Sequence, residues 1–276
     1  AEFALFNSLY FNQYFTGDFG HHDINRNESA PTIYHMAWWC CTMAGLRALQ
    51  VIKDQYFVEN SDGIVKINLY IDTDYTDGDV SLSVREGDID GKYHTFNVVF
   101  SNKDQQEYRI LLRKPSYVTE FELLLNGKKE ELSLRGGYYA TENNIKEGDN
   151  LQVRISYNTK IITADRKEVS LSEITGPVHG ALCYGPYLMA VDNRIDFTFL
   201  SEPNNNIIYS RTVRNVAETE LQEKISEGSF VKDAYLTARY KHAGFPSNLP
   251  VIFRPVSEMT FDKHPYMMVA LQFIPE

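Results

Sequence analysis

Residues 65–71, Val-Lys-Ile-Asn-Leu-Tyr-Ile, decide the fold class, because their apolar side chains recur at every second position. A period of two is typical of a β-strand with one buried face. The same spacing recurs at positions 80-82-84, 96-98-100, 121-123-125 and 151-153-155. Asn126-Gly127 follows one of these runs and predicts a hairpin turn, since both residues tolerate a positive φ. Short strands at such regular spacing predict antiparallel β-sandwiches.

The first 60 residues carry a helical pattern instead. Apolar side chains at positions 3, 6, 9 and 10 predict a helix within Glu2–Tyr14. A second helix is predicted from about Cys41 to Phe57, ended by Asn60-Ser-Asp-Gly63. Two short helices cannot bury their apolar faces alone. We therefore expect them to pack on the β region, on another chain, or on a part that this chain lacks.

The second half of the chain has a looser pattern. Apolar runs predict buried strands at Ala181–Val191, Ile195–Leu200 and Val251–Phe253, and a short helix is predicted around Val216–Ile225. The predicted organisation is mainly β, with a helical segment at 1–60, a first sandwich at 61–158, and a second sandwich with long loops at 159–276.

Composition restricts the partners. A formal net charge of −10 argues against nucleic acid and against an anionic membrane surface. No run approaches the roughly 18 apolar residues of a spanning helix, and the start of the chain has no signal-peptide pattern. The location stays open, with the periplasm or the exterior favoured over the cytoplasm. Three cysteines are too few for a disulfide scaffold, and Cys183, in an apolar run, is expected to be a buried, unreactive thiol.

The step Trp38-Trp39-Cys40-Cys41, followed by Gly45 and Arg47, is the unusual chemical feature. Vicinal thiols rarely bond to each other, because the ring that they form conflicts with normal disulfide geometry. Metal ligation, thiolate chemistry and burial as small hydrophobes all remain open. The nearby His21, His22 and His35 offer nitrogen ligands, although histidines in polar loops usually face solvent.

Other residues offer less specific sites. Tyr138, Tyr139, Tyr184 and Tyr187 are candidates for a sugar platform, although alternating tyrosines in strands usually pack. No spacing of carboxylates indicates an ordinary glycosidase pair, which needs two carboxyl groups about 5–10 Å apart.

Several segments together resemble the β-L-arabinofuranosidase family, glycoside hydrolase family 127. The segments that carry the resemblance are Phe15-Thr-Gly-Asp-Phe-Gly-His21, Trp39-Cys40-Cys41 with Gly45 and Arg47, Ile67-Asn-Leu-Tyr-Ile71, Leu125-Asn-Gly127 and Ala181-Leu-Cys-Tyr-Gly-Pro186. Each segment is weakly specific, but their order and spacing together indicate the family.

The resemblance implies a retaining glycosidase that acts on plant-type glycans. In such enzymes an (α/α)6 barrel precedes two jelly-roll-like β-sandwiches, so the helical segment at 1–60 would be the end of that barrel. The resemblance further implies Cys40 as the zinc-bound nucleophile, Cys40 and Cys41 as zinc ligands, and His21, His22 and Tyr34 as sugar-binding residues. A zinc-bound thiol is deprotonated at neutral pH, which makes this chemistry coherent.

The sequence also departs from the family pattern. The Glu-X-Cys motif that supplies the other two zinc ligands, and the acid/base glutamate, match nothing in this chain. We therefore expect zinc only where the missing ligands are supplied, and little activity from the isolated chain. The expected partners are an oligosaccharide and, through the N-terminal helices, either a second copy or the missing barrel. A non-catalytic carbohydrate-binding or structural module is the alternative function.

Overall fold

The structure, a computed structural model, describes residues 2–13, 17–20, 37–104, 106–192, 212–214, 220–223, 234–240, 249–258, 267–268 and 270–273. Two compact units divide the chain, one of residues 1–45 with 159–276 and the other of residues 46–158. The predicted division into three domains, with boundaries after residues 60 and 158, stays a prediction. The predicted strand at Ile195–Leu200 lies outside the described residues.

Among the described residues, helical structure is found in the N-terminal part and in two single turns. Helix α1 (Glu2–Ala4) continues as a π-helical turn, Leu5–Leu9, and a 3-10 turn, Tyr10–Asn12. Helix α2 (Trp39–Val51) continues as a π-helical segment, Ile52–Phe57. Further 3-10 turns span Leu171–Glu173 and Val256–Glu258. Both predicted N-terminal helices are confirmed within a few residues, and no described helix is long and apolar enough to span a membrane.

The unit of residues 46–158 contains two sheets. Its strands are β1 (Val58–Ser61), β2 (Ile64–Ile67), β3 (Thr73–Asp77), β4 (Val80–Glu86), β5 (Tyr93–Asn102), β6 (Arg109–Arg113), β7 (Val118–Leu125), β8 (Lys128–Lys129), β9 (Leu132–Arg135), β10 (Tyr138–Thr141) and β11 (Asn150–Tyr157). One sheet has the order β1-β2-β6-β10-β9 and the other β3-β4-β5-β11-β7-β8. The rings of Phe121 on β7 and Tyr139 on β10 lie 4.6 Å apart, so side chains of the two sheets meet in a shared core.

The predicted alternation is confirmed in three of the five runs in this unit. Positions 80, 82 and 84, then 96, 98 and 100, and then 151, 153 and 155 are all buried. In the run 121-123-125 only Leu123 is fully buried, and the stretch 65–71 is a strand only as far as Ile67, after which Asn68, Leu69 and Tyr70 are buried in succession. Asn126 and Gly127 both have positive φ and join β7 to β8, as predicted. The expectation of purely antiparallel sheets is wrong, however, because β2 and β6 pair in parallel. A parallel pair needs a crossover connection, which β3, β4 and β5 provide here.

The other unit contains ten described strands in one hydrogen-bonded sheet. They are β12 (Thr159–Thr163), β13 (Glu168–Ser170), β14 (Val178–Tyr184), β15 (Tyr187–Asp192), β16 (Thr212–Arg214), β17 (Glu220–Glu223), β18 (Ala234–Tyr240), β19 (Leu249–Pro255), β20 (Met267–Met268) and β21 (Ala270–Phe273). Their order is β13-β12-β14-β21-β16-β18-β19-β15-β20, with β17 on β18 and a second pairing of β14 with β15. The mainly β class is confirmed, whereas a second two-sheet sandwich, the jelly-roll topology and the barrel origin of the helices stay predictions.

Two sequence predictions in this unit are wrong. Ala181–Val191 is a hairpin rather than one strand, because Gly185 has a φ of 53° and reverses the chain between β14 and β15. The helix predicted around Val216–Ile225 is absent at residues 220–223, which form β17. There, pairing with β18 along the whole length of β17 overrides the weak helical pattern.

The first helical segment is attached to the β14–β15 hairpin through Asn7, which lies in its π-helical turn. The buried Asn7 amide donates to the carbonyl oxygens of Phe3 (2.8 Å) and Pro186 (2.7 Å), and its oxygen accepts the Leu188 N–H (2.5 Å). Phe6 is buried, and its ring meets that of Tyr187 edge-on at 5.1 Å. Phe3 on the same helix is exposed. The first helical segment therefore buries Leu5, Phe6 and Phe11 within its own unit, whereas only Phe6 of the predicted apolar positions 3, 6, 9 and 10 is buried.

We expect Asn7→Ala to lower the free energy of unfolding by about 3 kcal/mol, because the buried Pro186 carbonyl and Leu188 N–H lose this partner. Denaturant unfolding followed by circular dichroism measures the effect. Ser8→Ala, at an exposed neighbouring position, is the control and should change stability little. Equal stability of the two variants would contradict the role of Asn7.

The hydrogen bonds of Glu59 on β1 should make the stability of the protein depend on pH. Its carboxylate accepts hydrogen bonds from Lys66 (3.0 Å) and Asn68 (3.0 Å), which hold the pKa of Glu59 below its usual value. The stabilisation is complete above the unfolded pKa of about 4.3 and is lost as the pH falls through the lower folded value. Glu59→Gln should therefore flatten the acid limb of stability against pH, whereas Glu142→Gln, at an exposed position, should leave it unchanged.

Candidate functional site

The vicinal cysteines lie in the first turn of α2, which backbone and side-chain hydrogen bonds anchor to residues 17–20. The Trp38 N–H donates to the Phe19 carbonyl oxygen (3.2 Å), and the Phe19 N–H donates to Oγ1 of Thr42 (3.1 Å). The Thr42 N–H donates to the Trp38 carbonyl oxygen (2.8 Å), which closes the first helical turn. This attachment fixes the direction in which the thiols at positions 40 and 41 point.

The two thiols are close together but not bonded. Their Sγ atoms are 4.0 Å apart, Cys40 is exposed and Cys41 is partly exposed. Loss of hydration, followed by the hydrogen bond and charge of the Cys40 thiol, raises the pKa of Cys41 above its usual value. Because the thiolate is the reactive form, Cys41 remains protonated at neutral pH unless a cation stabilises its charge. Burial as small hydrophobes, one of the open alternatives, is wrong for Cys40.

Cys183 behaves differently from the pair. It is buried on β14, and burial raises the pKa of its thiol to about 12. The predicted burial of this thiol is confirmed.

The thiol pair fits half of a zinc site. A Zn–S distance of about 2.3 Å with tetrahedral angles places two sulfurs about 3.8 Å apart, which is close to the observed Sγ–Sγ separation of 4.0 Å. Zinc in proteins takes four ligands, or three and a water. In the part of the chain that the structure describes, no cluster of three or more His, Cys, Asp or Glu side chains is able to hold a metal. These residues therefore do not make a complete zinc site.

Gly45 and Phe19 belong to two of the sequence motifs, but the contact between them was not predicted. A Cβ atom on Gly45 would lie 2.4 Å from the Phe19 ring, and Phe19 is buried. Only glycine allows α2 to approach this ring. A glycine within a helical pattern was visible in the sequence, but the aromatic partner 26 positions earlier was not.

Of the remaining candidate site residues near the cysteine pair in the sequence, the structure describes only Arg47. The proposed sugar-binding residues His21, His22 and Tyr34, together with His35, lie outside the described residues. Arg47 is exposed and forms no salt bridge with another described residue.

Most of the four tyrosines that were candidates for a sugar platform contact other residues of the protein. Tyr184 and Tyr187 are buried, so neither offers a ring face to a sugar. Tyr138 donates to Oδ1 of Asn68 (2.6 Å), and Tyr139 packs on Phe121.

Comparison with known proteins identifies the relatives of this fold. Residues 64–157 match the family model described as the middle domain of GH127 β-L-arabinofuranosidase. Among solved structures, a glycoside hydrolase matches with a TM-score of 0.64 and 17% identity over 99% of this chain and 48% of its own. Ara127N-Se, a GH127 β-L-arabinofuranosidase from Geobacillus stearothermophilus T6, matches with 0.63 and 15%, over 99% and 45%. The GH127 β-arabinofuranosidase BT3674 matches with 0.66 and 16%, over 99% and 45%.

The fold is thus shared with these solved glycoside hydrolases. Residues 64–157 match the GH127 middle-domain model, in agreement with the resemblance that the sequence motifs indicated. The chain spans about half the length of these solved structures. No curated protein sequence matches it.

We expect Gly45→Ala to destabilise the protein by about 1–3 kcal/mol, because the added methyl group forces the buried Phe19 ring to move. This outcome opposes the helix propensity of alanine, which alone favours the substitution by about 1 kcal/mol. Thermal unfolding measures the change. Gly176→Ala is the matched control, since nothing lies within 4 Å of its Cβ position, and Phe19→Leu should partly rescue Gly45→Ala.

Proposed function

We propose that this chain is the sandwich-bearing part of a retaining β-L-arabinofuranosidase that acts on plant-type glycans, with Cys40 as the nucleophile. The observation that carries the proposal is the thiol pair of exposed Cys40 and partly exposed Cys41, 4.0 Å apart at the start of α2, in a chain whose residues 64–157 match the GH127 middle domain. A cysteine that only fills space in the core is buried, whereas a nucleophilic cysteine must be accessible to substrate. An exposed cysteine beside a second thiol therefore suits covalent catalysis better than a structural role.

The proposed chemistry is a double displacement. The Cys40 thiolate attacks the anomeric carbon of the arabinofuranoside, the C1–O bond breaks, and the leaving oxygen takes a proton from a general acid. Water then attacks C1 of the thioglycoside while the conjugate base of the general acid takes a proton from it; the C1–S bond breaks and its electron pair returns to sulfur as the thiolate. Net retention follows from the two inversions.

Two parts of this site come from outside the described residues. The resemblance to the family assigns the general acid and two further zinc ligands to a part that this chain lacks. Zinc, where it binds, would take Cys40 and Cys41 as two of its ligands and would keep the thiol deprotonated. His21, His22 and Tyr34 are proposed to contact sugar hydroxyl groups. The isolated chain is therefore expected to hydrolyse little or nothing.

The test uses the chain together with the polypeptide encoded directly upstream, joined to it or co-expressed. We expect release of p-nitrophenol from p-nitrophenyl β-L-arabinofuranoside. Cys40→Ala should lower kcat/KM by at least roughly 10³-fold, because the covalent route is lost. Cys183→Ala is the control and should retain hydrolysis, since that thiol is buried away from solvent.

Two results would contradict the proposed function, and a third would support it. Undiminished hydrolysis by Cys40→Ala would remove Cys40 from the reaction. Glycan binding without hydrolysis, unaffected by Cys40→Ala, would favour the alternative of a non-catalytic carbohydrate-binding module. A pentosyl mass increment on the Cys40 peptide after rapid quenching would support the covalent intermediate.

A further inference from the structure

The turn at Asn126-Gly127 has a chemical property beyond its role in joining β7 to β8. It is the only Asn-Gly step in the sequence, and both residues are exposed. An asparagine followed by glycine is especially prone to deamidation, because glycine has no side chain to shield its backbone nitrogen. The turn is therefore a candidate site of covalent modification.

Deamidation of such a step proceeds through a five-membered ring. The Gly127 nitrogen loses its proton to a base and attacks Cγ of Asn126, and Nδ2 takes up a proton and leaves as ammonia. Water then opens the succinimide at one of its two carbonyl carbons, which yields aspartate or isoaspartate. In total one water is consumed, one ammonia is released, and the side chain gains a negative charge.

Hydrogen bonds hold both ends of the Asn126 amide group in the folded protein. Its Nδ2 donates to Oδ1 of Asp149 (2.8 Å), and its Oδ1 accepts the Asn150 N–H (3.0 Å). The Asn126 N–H also donates to the Asn150 carbonyl oxygen (2.8 Å). The amide group has to break these side-chain bonds before its carbon turns toward the Gly127 nitrogen. Ring closure therefore requires local opening of the structure.

Asp149 is a fixed acceptor for this contact. It is buried, and its Oδ2 accepts the Lys146 N–H (2.9 Å). The Asp149 N–H in turn donates to the Lys146 carbonyl oxygen (3.1 Å). These bonds hold the carboxylate toward Asn126. The hydrogen bond between Asn126 and Asp149, here called the turn clamp, thus joins the β7–β8 turn to the residue that precedes β11.

We propose that Asn126 is a deamidation site that the turn clamp protects, and that its deamidation destroys the clamp irreversibly. Aspartate or isoaspartate at position 126 has no amide hydrogen to donate to Asp149. Two carboxylates then face each other in place of a hydrogen bond of 2.8 Å, and like charges at such a distance repel. Deamidation would therefore release the β7–β8 turn from the start of β11.

Peptide mapping by mass spectrometry measures the modification directly. The folded chain, and the chain unfolded in guanidinium chloride, are incubated at mildly alkaline pH, and the deamidated fraction at Asn126 is followed over time. We expect the folded chain to react at least roughly tenfold more slowly. The reason is that each ring closure must wait until a hydrogen bond to a charged group has broken.

Asp149→Ala tests the protection. Without the acceptor, the rate at Asn126 in the folded chain should rise several-fold, toward the rate in the unfolded chain. Asn60-Ser61 on β1 is the internal reference for general loss of structure, and its rate should change little. Glu142→Ala, at an exposed position, is the control variant and should leave both rates unchanged.

Exchange of the two side chains tests the consequence. Asn126→Asp copies one product and should lower the midpoint of thermal unfolding. In the double variant Asn126→Asp/Asp149→Asn, the amide at position 149 is able to donate to the carboxylate at position 126 while its oxygen accepts the Lys146 N–H. The double variant should recover most of the lost midpoint, and it has no amide at position 126 to lose.

Two results would overturn the proposal. One is deamidation of Asn126 at the same rate in the folded and the unfolded chain, or no acceleration by Asp149→Ala. The other is Asn126→Asp with the stability of the unchanged chain, or a double variant no more stable than Asn126→Asp. If Asp149→Ala unfolds the chain, which an equal rise at Asn60 would reveal, the comparison of the single and double variants decides.

Discussion

The structure depends on burying the alternate side chains of paired strands. In the unit of residues 46–158, three runs place every second side chain in the interior, at 80–84, 96–100 and 151–155. The strands that carry them pair side by side as β4, β5 and β11. A shift of register by one residue would move all these side chains to the opposite face. The turns at Asp62-Gly63 and Asn126-Gly127, with positive φ at each residue, help to fix the register.

The helices relate to this framework in different ways. The first helical segment is held by buried Asn7 and Phe6 and is part of its unit's core. Helix α2 is held at its start by Phe19, Trp38 and Thr42 and leaves apolar side chains in solvent. The thiol pair lies on the less covered helix. The zinc ligand set is incomplete, and the helix face beside it is uncovered. Both observations are consistent with a site that further polypeptide completes.

The sequence predicted those features that depend on local pattern. The strands and the Asn126-Gly127 turn follow from side-chain periodicity and backbone preference, and the likeness to GH127 proteins followed from short motifs in order. The parallel pairing of β2 with β6 was not predictable, because it joins segments separated by three strands. The contact of Phe19 with Gly45 is likewise tertiary. The hairpin at Gly185 was missed because its apolar flanks resemble one continuous buried strand.

The central claim is that Cys40 and Cys41 form half of a zinc–thiolate site whose other half is supplied from outside the described residues. Zinc stoichiometry, measured by native mass spectrometry on the chain with its upstream polypeptide, tests it most directly. The account predicts one zinc per completed protein, lost when Cys40 and Cys41 are both replaced by alanine, and weaker binding by the chain alone. A completed protein without zinc, or with zinc retained in the double variant, would contradict the claim.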